Sequence, residues 1–397
     1  MTISSVASLS ASPAPRAGVL LAVVAGNLVG NLSLYVVPLL GGVICRRFHI
    51  ADDMFGYLIS MELAGMAVSP ILLASLAAFA TRPPRAAIAI SGVLCILIGN
   101  AGMALIWSVP SLFALRLIAG LGEGMVLAVT YRVVVQAALG SRGFSIIQIT
   151  NGFCLMAIYF AVPPLAGRFG DRGVFLAMAA TVLALGPSIL TFRGADRAPL
   201  KPGPSQRSGR GFSAPVLAFL LGWAVFQVSQ NGMWAYVERI GTRAGFTLDD
   251  IGMGAVLSAV AYTAAPFLAL LLGRKFGWLI PLAAACVLTG VCCVGMPYAV
   301  SLWVYLSEFV VFSFAMNLAM PYANAFAAEL DPSGRVVTAM PGFFVAGSVA
   351  GPAVSGAVFS LFGSYELVGW IVGLTTMPAA GLMGYATFRA RPQKVAN

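Results

Sequence analysis

Apolar residues in this chain neither alternate with polar ones nor recur as a single stripe; they run on for about twenty positions or more at a time. Such runs fall at about 17–44, 55–80, 86–108, 110–135, 145–167 and 173–192. A second set falls at about 214–237, 251–273, 277–297, 300–327, 336–361 and 366–388. A run of about 20 apolar residues crosses the hydrocarbon layer of a bilayer as an α-helix, and a helix satisfies every backbone polar group internally. The pattern therefore predicts an all-α polytopic membrane protein with twelve transmembrane helices. Barrel strands, which are about ten residues of alternating polarity, do not fit it. Between the two sets lies RGADRAPLKPGPSQRSGRGFS, residues 193–213, rich in Pro, Gly, Ser and basic side chains. Such a segment cannot bury an apolar face and reads as a flexible cytoplasmic linker. The expected organisation is a six-helix bundle over 14–192, the linker, and a second six-helix bundle over 214–390, with both termini cytoplasmic.

Composition agrees. Of 397 residues, 60% are hydrophobic and 9% are charged, against roughly 25% charged in a soluble domain. Mean hydropathy is +0.94. A soluble enzyme, a disordered chain and a secreted disulfide scaffold are all excluded. The net charge of +10 does not imply a nucleic-acid partner, because its placement follows topology. On the twelve-helix reading 15 of the 23 Lys and Arg fall in inner connections and tails. Six fall in outer ones (Arg46, Arg47, Arg168, Arg172, Arg239 and Arg243), and Arg116 and Arg132 lie within a span. That is the positive-inside bias. The segment up to Arg16 reads as a cytoplasmic tail rather than a cleaved signal peptide, which points to the cell membrane, the inner membrane if the source is bacterial. The six cysteines lack zinc-ligand spacing, and neither a metal nor a cofactor is expected.

The two sets repeat each other. FHIADDMFGYLIS (Phe48 to Ser60) aligns without a gap on FTLDDIGMGAVLS (Phe246 to Ser258), sharing Phe48/Phe246, Asp52/Asp250, Gly56/Gly254 and Ser60/Ser258. Each copy supplies a short polar turn, an Asp suited to a helix N-terminus, and small residues for close packing. The fourth span carries Arg116-Leu-Ile-Ala-Gly120-Leu-Gly122-Glu-Gly124, and the eleventh carries Gly347-Ser-Val-Ala-Gly351-Pro352-Ala-Val-Ser355-Gly356. On these residues the chain resembles the major facilitator superfamily of secondary transporters over essentially its whole length. The fourth-span segment matches that family's Arg-x-x-x-Gly-x-Gly-x-Gly pattern. The eleventh-span segment is similar to a pattern its antiporters usually place on the fifth span, where this chain has only Val162-Pro163-Pro164-Leu-Ala-Gly167. The family's Gly-x-x-x-Asp-Arg-x-Gly-Arg loop after the second span is replaced by Ala80-Thr-Arg82-Pro-Pro-Arg85, and a fragment survives as Gly273-Arg274-Lys275-Phe276-Gly277. The resemblance implies two bundles, a central cavity lined by spans one, four, seven and ten, and a central role for Arg116.

Ionisable groups within spans cost several kcal/mol unless they meet a wet cavity or a partner, so each is a candidate. Arg116 and Glu123 are seven residues apart and share a face of one helix; Glu62 and Glu308 lie within the second and tenth spans. All four are candidates for proton coupling, with a static charge pair across helices as the alternative for Arg116. Glu308 ranks below Glu123, because its nine-residue separation from Asn317 puts the two on opposite helix faces. Glu238, Arg239 and Glu329 sit near span ends, where gate salt bridges or snorkelling are expected. Neutral polar side chains mark a solute path: Asn27, Asn31 and Tyr35 on the first span; Gln227, Gln230, Asn231 and Trp234 on the seventh; Asn317 and Asn324 on the tenth. The competing role is plain interhelical hydrogen bonding. Gly120, Gly122, Gly124, Gly347 and Gly351 allow close helix approach, and Pro321 and Pro352 offer bends. With one histidine and no Gly-x-x-x-x-Gly-Lys-Ser/Thr segment, neither a Ser-His-Asp site nor ATP-driven transport is supported. The sequence predicts a monomeric secondary transporter of a small organic solute by alternating access, proton-coupled, with export slightly favoured. The alternatives are an uptake symporter and a transporter-like sensor that binds without moving its ligand.

Overall fold

The computed structural model describes residues 17–79, 85–106, 108–136, 140–189, 212–331 and 335–389. The linker up to Gly211, the ends of the two expected bundles, residues 80–84 and the side chain of Arg132 lie outside the described residues. Within them the chain forms helices α1 (Ala17–Gly30), α2 (Leu32–Phe48), α3 (Asp52–Phe79), α4 (Arg85–Leu105), α5 (Val109–Gln136) and α6 (Gly140–Leu185). The second half contributes α7 (Ala214–Arg243), α8 (Leu248–Leu272), α9 (Leu279–Gly295), α10 (Leu302–Leu330), α11 (Arg335–Phe362), α12 (Tyr365–Leu374) and α13 (Thr376–Arg389). No strand occurs among the described residues. Among the described residues ten helical stretches are long and apolar enough to cross a membrane.

Three departures from the simple reading have local causes. The run at 17–44 extends to Phe48 and breaks at Asn31, so α1 and α2 form one span with a joint beside the candidate polar residues. The runs at 145–167 and 173–192 form one long element, α6, bent at Gly170, where φ is +66°. Only glycine enters that region without penalty. The last span is broken at Thr375 between α12 and α13. Helix ends also run past the apolar runs by up to six residues, as at Arg239–Arg243, because charged side chains there find partners.

The ends where the helices turn at His49, Gly170, Gly245 and Gly363 form one face of the molecule, here called the far end; those near Ala17, Ala214 and Arg389 form the terminal end. At the far end one apolar core runs through both halves, taking in Val36, Phe55 and Tyr159 with Trp234, Tyr236 and Phe309. At the terminal end the second half has a core of its own, built on Phe219, Trp223, Phe326 and Met383. The halves are thus fused at the far end and separately packed at the other.

Candidate functional site

The site is assembled on α5 by its glycines. A Cβ at Gly120 would collide with the carbonyl oxygen of Glu62, and one at Gly124 with Ser69 Oγ and the Met66 carbonyl, so these two let α3 lie directly on α5. Gly122 points the other way, where a Cβ would lie 2.5 Å from the Gly92 carbonyl on α4. Alternating glycines therefore bring a helix onto each side of α5. The close approach delivers Glu62 to Arg116, with Nη1 to Oε1 at 3.0 Å. From α4, Asn100 Oδ1 accepts from Arg116 Nη2 at 2.8 Å. Arg116 is 0% exposed. The carboxylate that neutralises it is Glu62, across helices; Glu123, seven residues along the same helix, is not its hydrogen-bond partner. Glu123 is buried as well, and its Oε1 has no hydrogen-bond partner. Ser33 on α2 lies beside both Glu62 and Glu123.

One turn toward the terminal end, α1 meets α5 through Gly26, against Thr130, and Gly30, against Leu127. Asn27 and Asn31 sit on this seam: Asn31 Nδ2 donates to the Asn27 carbonyl at 2.9 Å, and Tyr131 Oη donates to Asn27 Oδ1 at 3.2 Å. Tyr35 on α2 lies within electrostatic reach of Tyr131, Tyr159 on α6 and Tyr262 on α8. Tyr131 is 43% exposed although it touches α1 and lies near Tyr262 of the other half.

The seventh-span residues divide. Asn231 donates to Ser348 Oγ on α11 at 3.0 Å, and a Cβ at Gly347 would lie 2.7 Å from Gln227 Cβ. Gln227 and Asn231 thus stand at the α7–α11 contact, which Gly347 and Gly351 bring close. The side-chain atoms Gln227 Nε2, Gln227 Oε1 and Gln230 Nε2 are buried without hydrogen-bond partners. Trp234 Nε1 donates to the Leu34 carbonyl at 3.3 Å, across the halves. Asn317 bonds back to the Ser313 carbonyl of its own helix, while Asn324 is exposed. Glu308 is apart from this group: a Cβ at Gly295 would lie 2.6 Å from its Oε1, so it faces α9.

The far end carries a polar lock between the halves. Arg239 Nη2 pairs with Asp52 Oδ1 at 2.5 Å, Tyr365 Oη donates to the other Asp52 oxygen, and Tyr236 Oη donates to the Asp52 carbonyl at 2.8 Å. The buried Glu238 accepts from the Gly42 N–H at 2.5 Å. Beside them a Cβ at Gly56 would strike the Pro352 carbonyl and Tyr236 Oη. A shallow depression of about 450 Å³ on the same face is lined by Arg46, Arg47, His49 and Arg172 with Asp171. Its Arg46 is paired to Asp171 at 3.1 Å, and Arg47 is held by the Met103 and Ala104 carbonyls. At the terminal end Glu329 pairs with Arg274 at 3.1 Å. Among the described residues no cluster of His, Cys, Asp and Glu has the makings of a metal site.

The helical frame, the glycine-positioned arginine and the closed far end together fit one architecture, and the sequence comparison decides it: the profile of the Major Facilitator Superfamily matches residues 17–341. The chain belongs to the major facilitator superfamily. It is accordingly a multi-pass membrane transporter of the secondary type and not an enzyme. Two solved structures share the fold. One is the POT family transporter PepTSo in its in meso crystal form, with TM-score 0.74 and 13% identity over 96% of this chain and 99% of that one. The other is an auto-inhibited POT family peptide transporter, with TM-score 0.74 and 14% identity over 96% and 98%. No curated protein matches the chain.

Three residues of this centre, Asn100, Tyr131 and Tyr262, carry no stripe or motif that marks them in the sequence. Tyrosine prefers the membrane interface. Phenols placed deep in apolar runs, as at 35, 131, 159 and 262, are the available signal.

Proposed function

We propose that this superfamily member couples proton movement to the transport of a small organic solute by alternating access. It does so through twelve membrane crossings, with both termini cytoplasmic. The observation that carries the reading is the buried triad of Glu62, Arg116 and Glu123. Glu62 and Arg116 form a neutral pair. Ionising Glu123 beside them leaves one unbalanced negative charge in a low-dielectric interior, which costs several kcal/mol. A proton on Glu123 removes it. The groups that face Glu123 are Ser33, Glu62 and Arg116, so any rearrangement that moves α2 or α3 against α5 changes how firmly that proton is held. With the termini cytoplasmic, the closed far end is the outer side and the conformation faces inward. Export remains the favoured direction, on the antiporter-like segment at Gly347–Gly356 that packs α11 against α7.

The test is solute movement in proteoliposomes under an imposed pH gradient, comparing wild type with Glu123→Gln across a panel of metabolites and drugs. Wild type accumulates a solute against its gradient. Glu123→Gln keeps downhill exchange and loses pH-driven accumulation. Full pH-driven accumulation by the variant would overturn the role of Glu123, and failure of the whole panel to move would favour a sensor.

A further inference from the structure

The far-end contact between α2 and α7 is made on backbone groups beside a proline. Pro38 lies inside α2, and its ring nitrogen has no hydrogen to give the Leu34 carbonyl four residues back. Such a carbonyl at membrane depth needs a donor from elsewhere. It finds one in the other half: Trp234 Nε1 on α7 donates to it at 3.3 Å. One turn past the proline, the Gly42 N–H donates to Glu238 Oε2, also on α7, at 2.5 Å. Gly41 and Gly42 make room for that carboxylate. A Cβ at Gly42 would collide with Glu238 Oε1, and one at Gly41 would lie 2.9 Å from Oε2. Thr242 Oγ1 donates to the other oxygen, Oε1, at 2.9 Å. Trp234 and Glu238 are four residues apart and share a face of α7, while Leu34 and Gly42 flank Pro38 on α2. α7 is unbroken from Ala214 to Arg243, whereas α2 starts at the Asn31 joint and carries the proline. A helix bends most readily at a proline. The two α7 side chains therefore clamp the bend from both sides.

We propose that Pro38 and Trp234 form a latch: the proline reserves the Leu34 carbonyl for the indole, and α2 beyond Pro38 is a gate that this bond and Glu238 hold shut. Trp234, a candidate for the solute path on sequence grounds, thereby belongs to the gate. The existence of an open state rests on the transporter reading above. Although a proline is a defect by helix propensity, this one stabilises the closed far end. Restoring an amide hydrogen at position 38 gives the Leu34 carbonyl a donor in its own helix and releases the indole. A proline that merely softens α2 predicts the opposite, because Pro38→Ala would then stiffen the helix and leave the far end closed.

The experiment is pulsed electron–electron resonance on the full chain in nanodiscs, with its native cysteines replaced by alanine. Spin labels replace His49 and Ala244, the C-cap residues of α2 and α7, both exposed. Wild type should give a short distance and a minor longer component. Trp234→Phe keeps a ring against Phe309, whose centroid lies 6.0 Å away, and removes the N–H. It should raise the ratio of long to short component about threefold, the effect of losing one interhelical hydrogen bond in a membrane. Pro38→Ala should raise it by a similar factor, and the double variant by no more than either alone, because both break one bond. An unchanged or smaller ratio in Pro38→Ala overturns the proposal, as do effects that multiply in the double variant. If Trp234→Phe does not fold, hydrogen exchange of the Trp234 indole N–H, read by NMR, decides. That exchange should be about threefold faster in Pro38→Ala, and an equal rate overturns the latch. The labels report without solute or gradient, so a chain that shows both components and moves nothing overturns only the transport reading. A chain that transports and shows no longer component in any variant overturns only the latch.

Discussion

Arg116 shows how a single buried charge sets the terms for its neighbours. Its spacing to Glu123 makes an intrahelical pair attractive on paper, yet its partner comes from another helix. The reason is one turn along α5: Gly120 has no side chain, so the α3 backbone at Glu62 occupies the place of a Cβ and carries the Glu62 carboxylate to the guanidinium. The motif on α5 was thus legible in the sequence, and the identity of the paired acid was not, because it depends on which neighbour the glycines admit. Two predictions follow from this division of roles. Glu62→Gln strands a buried guanidinium and should destabilise the protein by about 3–5 kcal/mol. Glu123→Gln replaces a carboxyl whose Oε1 has no hydrogen-bond partner by an amide of equal shape and should cost under about 1 kcal/mol. Thermal unfolding in detergent measures both; a larger loss for Glu123→Gln would show that the assignment is reversed. Gly120→Ala forces the α3 backbone away and should cost about 1–3 kcal/mol in the same assay, whereas Gly167→Ala, at a position where a Cβ meets nothing within 4 Å, should cost far less.

At the scale of elements, the repeated approach segments have diverged in use. In the second half Thr247 and Asp250 cap α8 reciprocally, with Thr247 N to Asp250 Oδ2 at 2.9 Å and Asp250 N to Thr247 Oγ1 at 3.2 Å. In the first half the residue in Thr247's place is His49, which adopts a left-handed φ of 52° and brings no hydroxyl. Asp52, the counterpart of Asp250, is engaged instead by Arg239 and Tyr365 of the other half. The repeat itself could be read from the sequence; its split into a cap and a cross-half lock could not, since the difference lies in what approaches from 187 residues away (Asp52 to Arg239). Asp52→Asn should therefore loosen the far end. Spin labels at Phe169 and Val300, both exposed at that end (61% and 94%), should gain a longer distance component in pulsed electron–electron resonance. Asp250→Asn should cost α8 about 1 kcal/mol of capping energy and leave that distance unchanged. An unaltered distribution in Asp52→Asn would remove Asp52 from the lock.

On the scale of the whole molecule, hydropathy reveals two sets of apolar runs but not how they lean on each other, because each run is apolar enough to face lipid or protein. That choice is made by contacts with no periodic signature: the core shared at the far end, the separate core at the terminal end of the second half, and Gly56 against Pro352. These contacts predict that the halves associate without their connection. A chain broken between Leu200 and Lys201, expressed as two polypeptides, should co-purify as one complex. The physical basis is that α3 lies on α11 and α6 on α8. The Asp53 carbonyl lies so close to Gly356 that a Cβ there would sit 2.7 Å from it, and a Cβ at Gly252 would lie 2.6 Å from Pro163. A leucine at Gly56 would drive side-chain atoms into the Pro352 carbonyl and Tyr236 Oη, where backbone cannot yield cheaply. Gly56→Leu should therefore abolish co-purification of the split halves while each half still inserts. Gly18→Leu, at a position open to 4 Å, should not. If the halves separate with Gly56 intact, the connection holds the two bundles together and the far-end contacts do not.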